Sequence, residues 1–251
     1  MEPKNIKLAL HKVKIEEGQE TLYFRQHFYR YFKTLCYIPQ EFVLNKVAAD
    51  LGTVPGHLSR TLKFLGAANV TGLDYNPERF GFKQRIERQG VKVLTCDLEK
   101  EPLPFPDHSL DLITFTEVIE HFEKGTGHVL SEIKRCLKPG GALVITTPNI
   151  NNLANRLRRL FGKNIYPSSV ETGPLSKQQH HHEYFMKELK ELLENEGFNV
   201  IKSKYIAGTE KALLENNFPI DFPRWLGKLY ALVPFLLPPL RSYLFILAQP
   251  K

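Results

Sequence analysis

The stretch Lys46-Val47-Ala48-Ala49-Asp50-Leu51-Gly52-Thr53-Val54-Pro55-Gly56 is a short apolar run that stops at an acid and gives way to a glycine-bearing turn. That order predicts a buried strand followed by a tight loop. Residues 57–65 carry helical spacing closed by Gly66, and Asn69-Val70-Thr71-Gly72-Leu73-Asp74 is a second apolar run that again ends on an acid. Strand, helix, strand makes a β-α-β unit with parallel strands.

The same design continues outward. Residues 77–89 read as a helix stopped by Gly90, and Val91-Lys92-Val93-Leu94-Thr95-Cys96-Asp97 is a third strand with a third terminal acid. After a proline-rich loop at 102–107 come a strand at 110–116, a helix around 129–137, a turn at Lys138-Pro139-Gly140-Gly141 and a strand at 142–147. An amphipathic helix at 185–196 is closed by Gly197, and strands follow at 199–206 and 242–248. Strands alternating with helices predict a doubly wound α/β fold, a largely parallel sheet covered on both faces. In front of it, residues 1–44 are expected to form an N-terminal helical cap, with aromatic and basic residues from Phe24 to Phe32. Residues 45–251 form the main domain, with substrate-side insertions at 149–182 and 208–240.

A chain of 251 residues with 42% hydrophobic residues can bury one sizeable core, and its composition excludes a disordered, collagen-like or disulfide-stapled protein. Cys36, Cys96 and Cys136 are few, widely spaced and read as reduced thiols. Residues 1–18 lack the continuous apolar stretch of a secretory signal, so a cytoplasmic location is expected. The net charge of +7 favours an anionic contact: RNA, a phosphorylated or nucleotide-linked substrate, or an acidic membrane surface.

Open α/β sheets bind ligands beyond the carboxyl ends of their strands. Gly52 and Gly56 stand there, and Asp74, about twenty residues on, can accept hydrogen bonds from both hydroxyls of a ribose. The dinucleotide fingerprint Gly-x-Gly-x-x-Gly would place its second glycine where Val54 stands, and a pyrophosphate would meet that side chain. A nucleoside without phosphates, such as S-adenosylmethionine, needs less clearance. Asp50 then falls near its amino-acid portion, while Asp97 and Leu98 suit the adenine amine and ring face.

The Asp50-to-Gly56 string, Asp74, Cys96-Asp97-Leu98, Pro102-Leu103-Pro104-Phe105-Pro106-Asp107, Glu117-Val118-Ile119-Glu120-His121 and Leu137-Lys138-Pro139-Gly140-Gly141 together resemble the ordered motifs of class I S-adenosylmethionine-dependent methyltransferases, of the type 11 kind. The match covers about residues 45 to 150 and continues more weakly to 206. The resemblance implies a Rossmann-like, seven-stranded, mostly parallel sheet with one antiparallel edge strand, supplied by residues 242–248 or a neighbour. It implies S-adenosylmethionine as cofactor and S-adenosylhomocysteine as product, held by Asp50, Gly52, Thr53, Gly56, Asp74, Tyr75, Asp97, Leu98 and Thr116. Val54 departs from the glycine the family commonly has, although Pro55-Gly56 resembles an accepted variant.

Methyl transfer from a sulfonium is an in-line displacement, helped for a hydroxyl acceptor by a base or a metal. Glu117, Glu120 and His121 follow the fourth strand and are the candidate catalytic residues. Glu117 and His121, four apart, would share a face if that segment were helical. Glu117-Val118-Ile119-Glu120-His121, Thr147-Pro148-Asn149 and His181 four residues before Phe185 are similar to the small-RNA 3′-terminal 2′-O-methyltransferases, whose two glutamates and two histidines bind magnesium or manganese. The same pattern, without a known metal, also occurs in methyltransferases resembling those of quinone and cell-envelope glycan biosynthesis. The expected reaction is O-methylation of a small-molecule, glycan or lipid-like acceptor. A metal-assisted RNA methyltransferase and a non-catalytic cofactor-binding module are the alternatives.

Two segments lie outside the sheet pattern. Leu153, Leu157, Leu160 and Phe161 alternate with Arg156, Arg158, Arg159 and Lys163 as a basic amphipathic helix, a lid or membrane-surface contact. Residues 216–240 are apolar but broken by Pro223, Arg224, Lys228, Pro234, Pro238 and Pro239, short of the roughly 20 residues that span a bilayer. They are expected to cap the active site; burial in a dimer and contact with a membrane surface are the other readings. Oligomeric state is not legible in the sequence.

Overall fold

A computed structural model describes residues 1–16, 22–165, 180–208, 210 and 224–251. Its sheet has seven strands in the order β3-β2-β1-β4-β5-β7-β6. These are β1 (Val47–Leu51), β2 (Asn69–Asp74), β3 (Lys92–Thr95), β4 (Leu110–Thr116), β5 (Leu137–Pro148), β6 (Phe198–Ile206) and β7 (Tyr243–Pro250). The first five pair in parallel, and β7 runs antiparallel to both β5 and β6, one place in from the outer strand. The strands expected from the sequence are all present, with β2 and β4 at the stated bounds. Much of the 208–240 insertion lies outside the described residues, as does 166–179 of the first.

Period-two alternation splits the central strands between two cores. Ala49, Ile113, Phe115, Leu143, Ile145 and Leu244 face helices α5 (Gly127–Cys136) and α7 (Met186–Asn195), where Leu130, Ile133, Leu189 and Leu193 are fully buried. Ala48, Leu112, Val144, Phe245 and Leu247 face the other side. There they meet α1 (Pro3–Glu16), α2 (Leu22–Tyr37), α3 (His57–Phe64) and α4 (Phe82–Glu87). Ile6, Leu10 and Val13 of α1 are fully buried in that core. Pro3–Glu16 is thus a helix packed on the sheet, inside the segment 1–44 that the sequence reads as a helical cap.

Three local expectations change. Lys138-Pro139-Gly140-Gly141 is not a turn between elements but an irregularity inside β5, where pairing with β4 jumps from Leu110↔Leu137 to Leu112↔Ala142. A Cβ on Gly141 would meet three carbonyl oxygens at 3.0–3.3 Å, so only glycine lets the backbones approach there. The helix expected over 77–89 is broken, because Phe80 takes a left-handed conformation (φ 53°) and α4 begins only at Phe82. Glu117 likewise has φ 57° and is followed by a single 3-10 turn, Ile119–His121, so Glu117 and His121 do not share a helical face.

Candidate active site

The strand order reverses between β1 and β4, so the loops leaving their carboxyl ends diverge and open a crevice. The β1 loop is built from Gly52, whose φ of 72° carries the chain back over the sheet. The Gly52 and Thr53 N–H groups both donate to Leu73 O at 2.8 and 2.9 Å. The Val118 side chain occupies the space a Cβ on Gly52 would need, so the β1 and β4 loops touch through this glycine.

Asp50 lies beneath the loop, 2% exposed. It accepts from Thr53 Oγ1 at 2.9 Å and from Thr114 Oγ1 at 2.7 Å. Burial pushes its carboxyl up to about 6, against the hydrogen bonds from Thr114, Thr53 and Ser59. A pKa raised on folding adds stability below the ordinary aspartate value of about 3.9 and loses it as pH rises through about 6, a change of about 3 kcal/mol. Urea titrations of Asp50→Asn and the parent should therefore diverge between those pH values, with the variant gaining relative stability as pH rises. A constant difference would mean that Asp50 titrates normally.

The crevice is a cavity of about 560 Å³. Gly52, Asp74, Tyr75, Asp97, Leu98, Glu117 and His121 line it, together with Val54, Pro55 and Val118. Asp50, Thr53, Gly56, Thr116 and Glu120 stand behind that wall. Thr53, 4% exposed, bonds Ser59 Oγ at 2.8 Å, and Gly56 (φ 89°) packs against Ile86 before α3. Thr116 ends β4 beside Thr146 of β5. Asp74 accepts from Asn76 N at 2.9 Å and, weakly, from Val54 N at 3.4 Å. Asp97 accepts from Glu99 N and pairs with Lys100 at 2.7 Å.

On the β4 side, Glu117 accepts from Thr146 Oγ1 at 2.8 Å and pairs with Arg30 Nη1 at 2.8 Å. Glu120 is 1% exposed and accepts from Thr147 Oγ1 at 3.0 Å. Burial, then the charge of Glu117, pushes its carboxyl well above the usual range. Its Oε1 lies 3.9 Å from His121 Nε2, and the His121 ring meets His180 edge-on at 5.0 Å. Ligand atoms of Glu120, His121 and His180 lie within 4.8 Å of one another, close enough to hold a metal ion. His180 Nδ1 is 2.9 Å from Glu183, which also accepts from Asn155 Nδ2 at 2.9 Å. The sequence pattern pointed to His181, whose Nε2 instead lies 3.7 Å from Glu123.

A family model described as a methyltransferase domain matches residues 49–145, the segment from β1 through most of β5. Over that segment the chain is similar to the class I S-adenosylmethionine-dependent methyltransferases. Among its relatives is a demethylmenaquinone methyltransferase of Chlorobaculum tepidum, 28% identical over 69% of this chain and 68% of that one. The mitochondrial ubiquinone biosynthesis O-methyltransferase of Mus musculus is 30% identical over 60% of this chain and 40% of its own length. In fold, it is similar to an S-adenosylmethionine-dependent methyltransferase from Mesorhizobium loti, with TM-score 0.61 and 18% identity over 86% and 95% of the two chains.

The methyltransferase's cofactor is S-adenosylmethionine. Residues that the sequence reading did not single out come from α2, the start of α3 and the Phe80–Phe82 segment leading into α4. Tyr23, His57, Phe80 and Phe82 form an aromatic outer wall, and Arg30 reaches the site from the cap. Arg30 is 5% exposed and packs between the Tyr31 and Tyr243 rings, 5.1 Å from each centroid. The dense aromatic and basic pattern of residues 24–32 was the available signal; which cation turned inward depended on the packing of α2.

Proposed function

We propose that this methyltransferase transfers the methyl group to a hydroxyl oxygen on an aromatic, lipid-like acceptor. In this reading Asp74 holds the cofactor's ribose hydroxyls, Asp97 and Leu98 hold the adenine, and the Gly52 loop passes under the amino-acid portion. Bound there, S-adenosylmethionine would supply the methyl group and leave as S-adenosylhomocysteine, and His121 would accept the proton of the acceptor hydroxyl. The observation that carries this is His121 in the cavity wall with the buried Glu120 carboxyl 3.9 Å behind it. Glu117, whose oxygens are engaged by Thr146 and Arg30, shapes the wall instead of taking a proton.

The aromatic wall of Tyr23, Phe80, Phe82 and Phe122 suits a planar acceptor, and two relatives bear quinone names in which the acceptor ring is planar and carries an apolar tail. One carboxylate and two imidazoles also form a donor set suited to a divalent cation. Bound there, such an ion would lower the acceptor hydroxyl's pKa.

With a quinol or catechol acceptor, His121→Ala should lower kcat roughly 10²–10⁴-fold. Affinity for S-adenosylhomocysteine, measured by calorimetry, should stay near the parent value. An unchanged kcat would remove His121 as the proton acceptor.

A further inference from the structure

Two helices beside the acceptor end of the site turn their apolar faces outward. In α8 (Arg224–Leu236), helical spacing puts Leu229, Leu232, Val233 and Leu236 on one stripe, and that stripe is 58, 49, 38 and 74% exposed. Among its described side chains, Ala231 and Pro234 are the buried ones. In α6 (Leu153–Leu160) the buried side chain is polar Asn155, whereas Leu160 and the following Phe161 are 76 and 72% exposed. A surface helix ordinarily does the reverse.

Both helices hang from Asn149, 1% exposed, just beyond β5. Its carbonyl accepts from Asn152 N and Nδ2, fixing the residue that caps α6. Its own Nδ2 donates to Pro239 O at 3.0 Å and Arg241 O at 2.7 Å, and Arg241 in turn donates to Pro234 O and Phe235 O in α8. The Tyr230 hydroxyl of α8, pushed up to about 12 by burial, is within electrostatic reach of Arg158 on α6. The two helices are therefore neighbours.

Charge identifies what meets this face. Residues 149–165 include Arg156, Arg158, Arg159 and Lys163 and no acid; residues 224–241 include Arg224, Lys228 and Arg241 and no acid. The four basic residues of the first segment are exposed. A second copy of the chain would bring like charges together, which opposes pairing. Among the described residues no helix is long and apolar enough to cross a membrane.

We propose that α6 and α8 dock this methyltransferase on the surface of an anionic phospholipid bilayer. Leu160, Phe161, Leu232 and Leu236 enter the headgroup–acyl boundary, and Arg156, Arg158, Arg159 and Lys163 meet lipid phosphates. A lipid-like acceptor would then reach the site without crossing water, but docking does not depend on that reading. Binding is measured with neither cofactor nor acceptor present, so the two stand or fall separately.

The test is co-sedimentation of the full chain with phosphatidylcholine vesicles, with and without phosphatidylglycerol, at low and high salt. The protein should sediment with the phosphatidylglycerol vesicles and be released by salt. Leu160→Ser/Phe161→Ser/Leu236→Ser and, separately, Arg159→Glu/Lys163→Glu should each weaken binding about tenfold or more. Melting temperatures should change little, since all these positions are exposed; should the serine variant melt early, the charge reversal and the salt series decide. Equal sedimentation with both vesicle types, parent-like binding of the charge reversal, or a stable dimer that Leu236→Ser dissociates would each overturn the proposal.

Discussion

Asp74→Ala is expected to weaken S-adenosylhomocysteine binding by two to three orders of magnitude while leaving the fold intact. Asp74 is 4% exposed at the carboxyl end of β2, with one good hydrogen bond from Asn76 N and a long one, 3.4 Å, from Val54 N. An ionised carboxylate has about four acceptor positions, so two remain for the vicinal hydroxyls of a ribose. Hydrogen bonds to a charged group contribute roughly 1.5–3 kcal/mol each, and losing two at the lower end of that range costs about 3–4 kcal/mol. The variant also releases Val54 N, which loosens the loop beside the ligand. Titration calorimetry measures the change, with circular dichroism to establish that the sheet persists. A loss smaller than about fivefold would mean that Asp74 does not bear the ribose.

Arg30→Ala is expected to destabilise the folded chain by about 3–5 kcal/mol, lowering the melting temperature by roughly 10 °C. The substitution leaves Glu117 without the guanidinium at 2.8 Å, in a wall where Glu120 is already buried beside it. It also empties the space between the Tyr31 and Tyr243 rings. Arg30→Met with Glu117→Gln removes both charges and keeps most of the volume, so it should recover much of the loss. Calorimetric melts of the two variants separate the explanations. A double variant no better than Arg30→Ala would show that packing, and not an uncompensated charge, sets the cost.

The cofactor half was legible because its determinants are local. An apolar run ending on an acid recurs at Asp50, Asp74 and Asp97, and glycines with positive φ stand at Gly52, Gly56, Gly66 and Gly90, so strand, turn and helix ends are written in neighbouring residues. What failed was set by distant parts of the chain. Glu117 leaves the helical region because Arg30 and Thr146 hold its carboxylate and Val118 packs against Gly52. His180 reaches His121 because Glu183 and Asn155 position it, and nothing local ranks it above His181 or His182.

Strand β7 sits between β5 and β6, and among the described residues β6 pairs with no other strand. A chain growing from its amino end on the ribosome can bring β1 to β5 together, yet β6 has no place until residues 243–250 have been made. Tyr37 of α2 packs on Phe245, and its carbonyl accepts from Lys202 of β6, so the final seating of the segment that carries Arg30 waits for the same event. Vectorial synthesis therefore brings the β1–β5 crevice together before α2 has its full set of contacts. In the interval, the outer edge of β5 is an open template for pairing with another nascent chain, the hazard that a late-arriving strand brings.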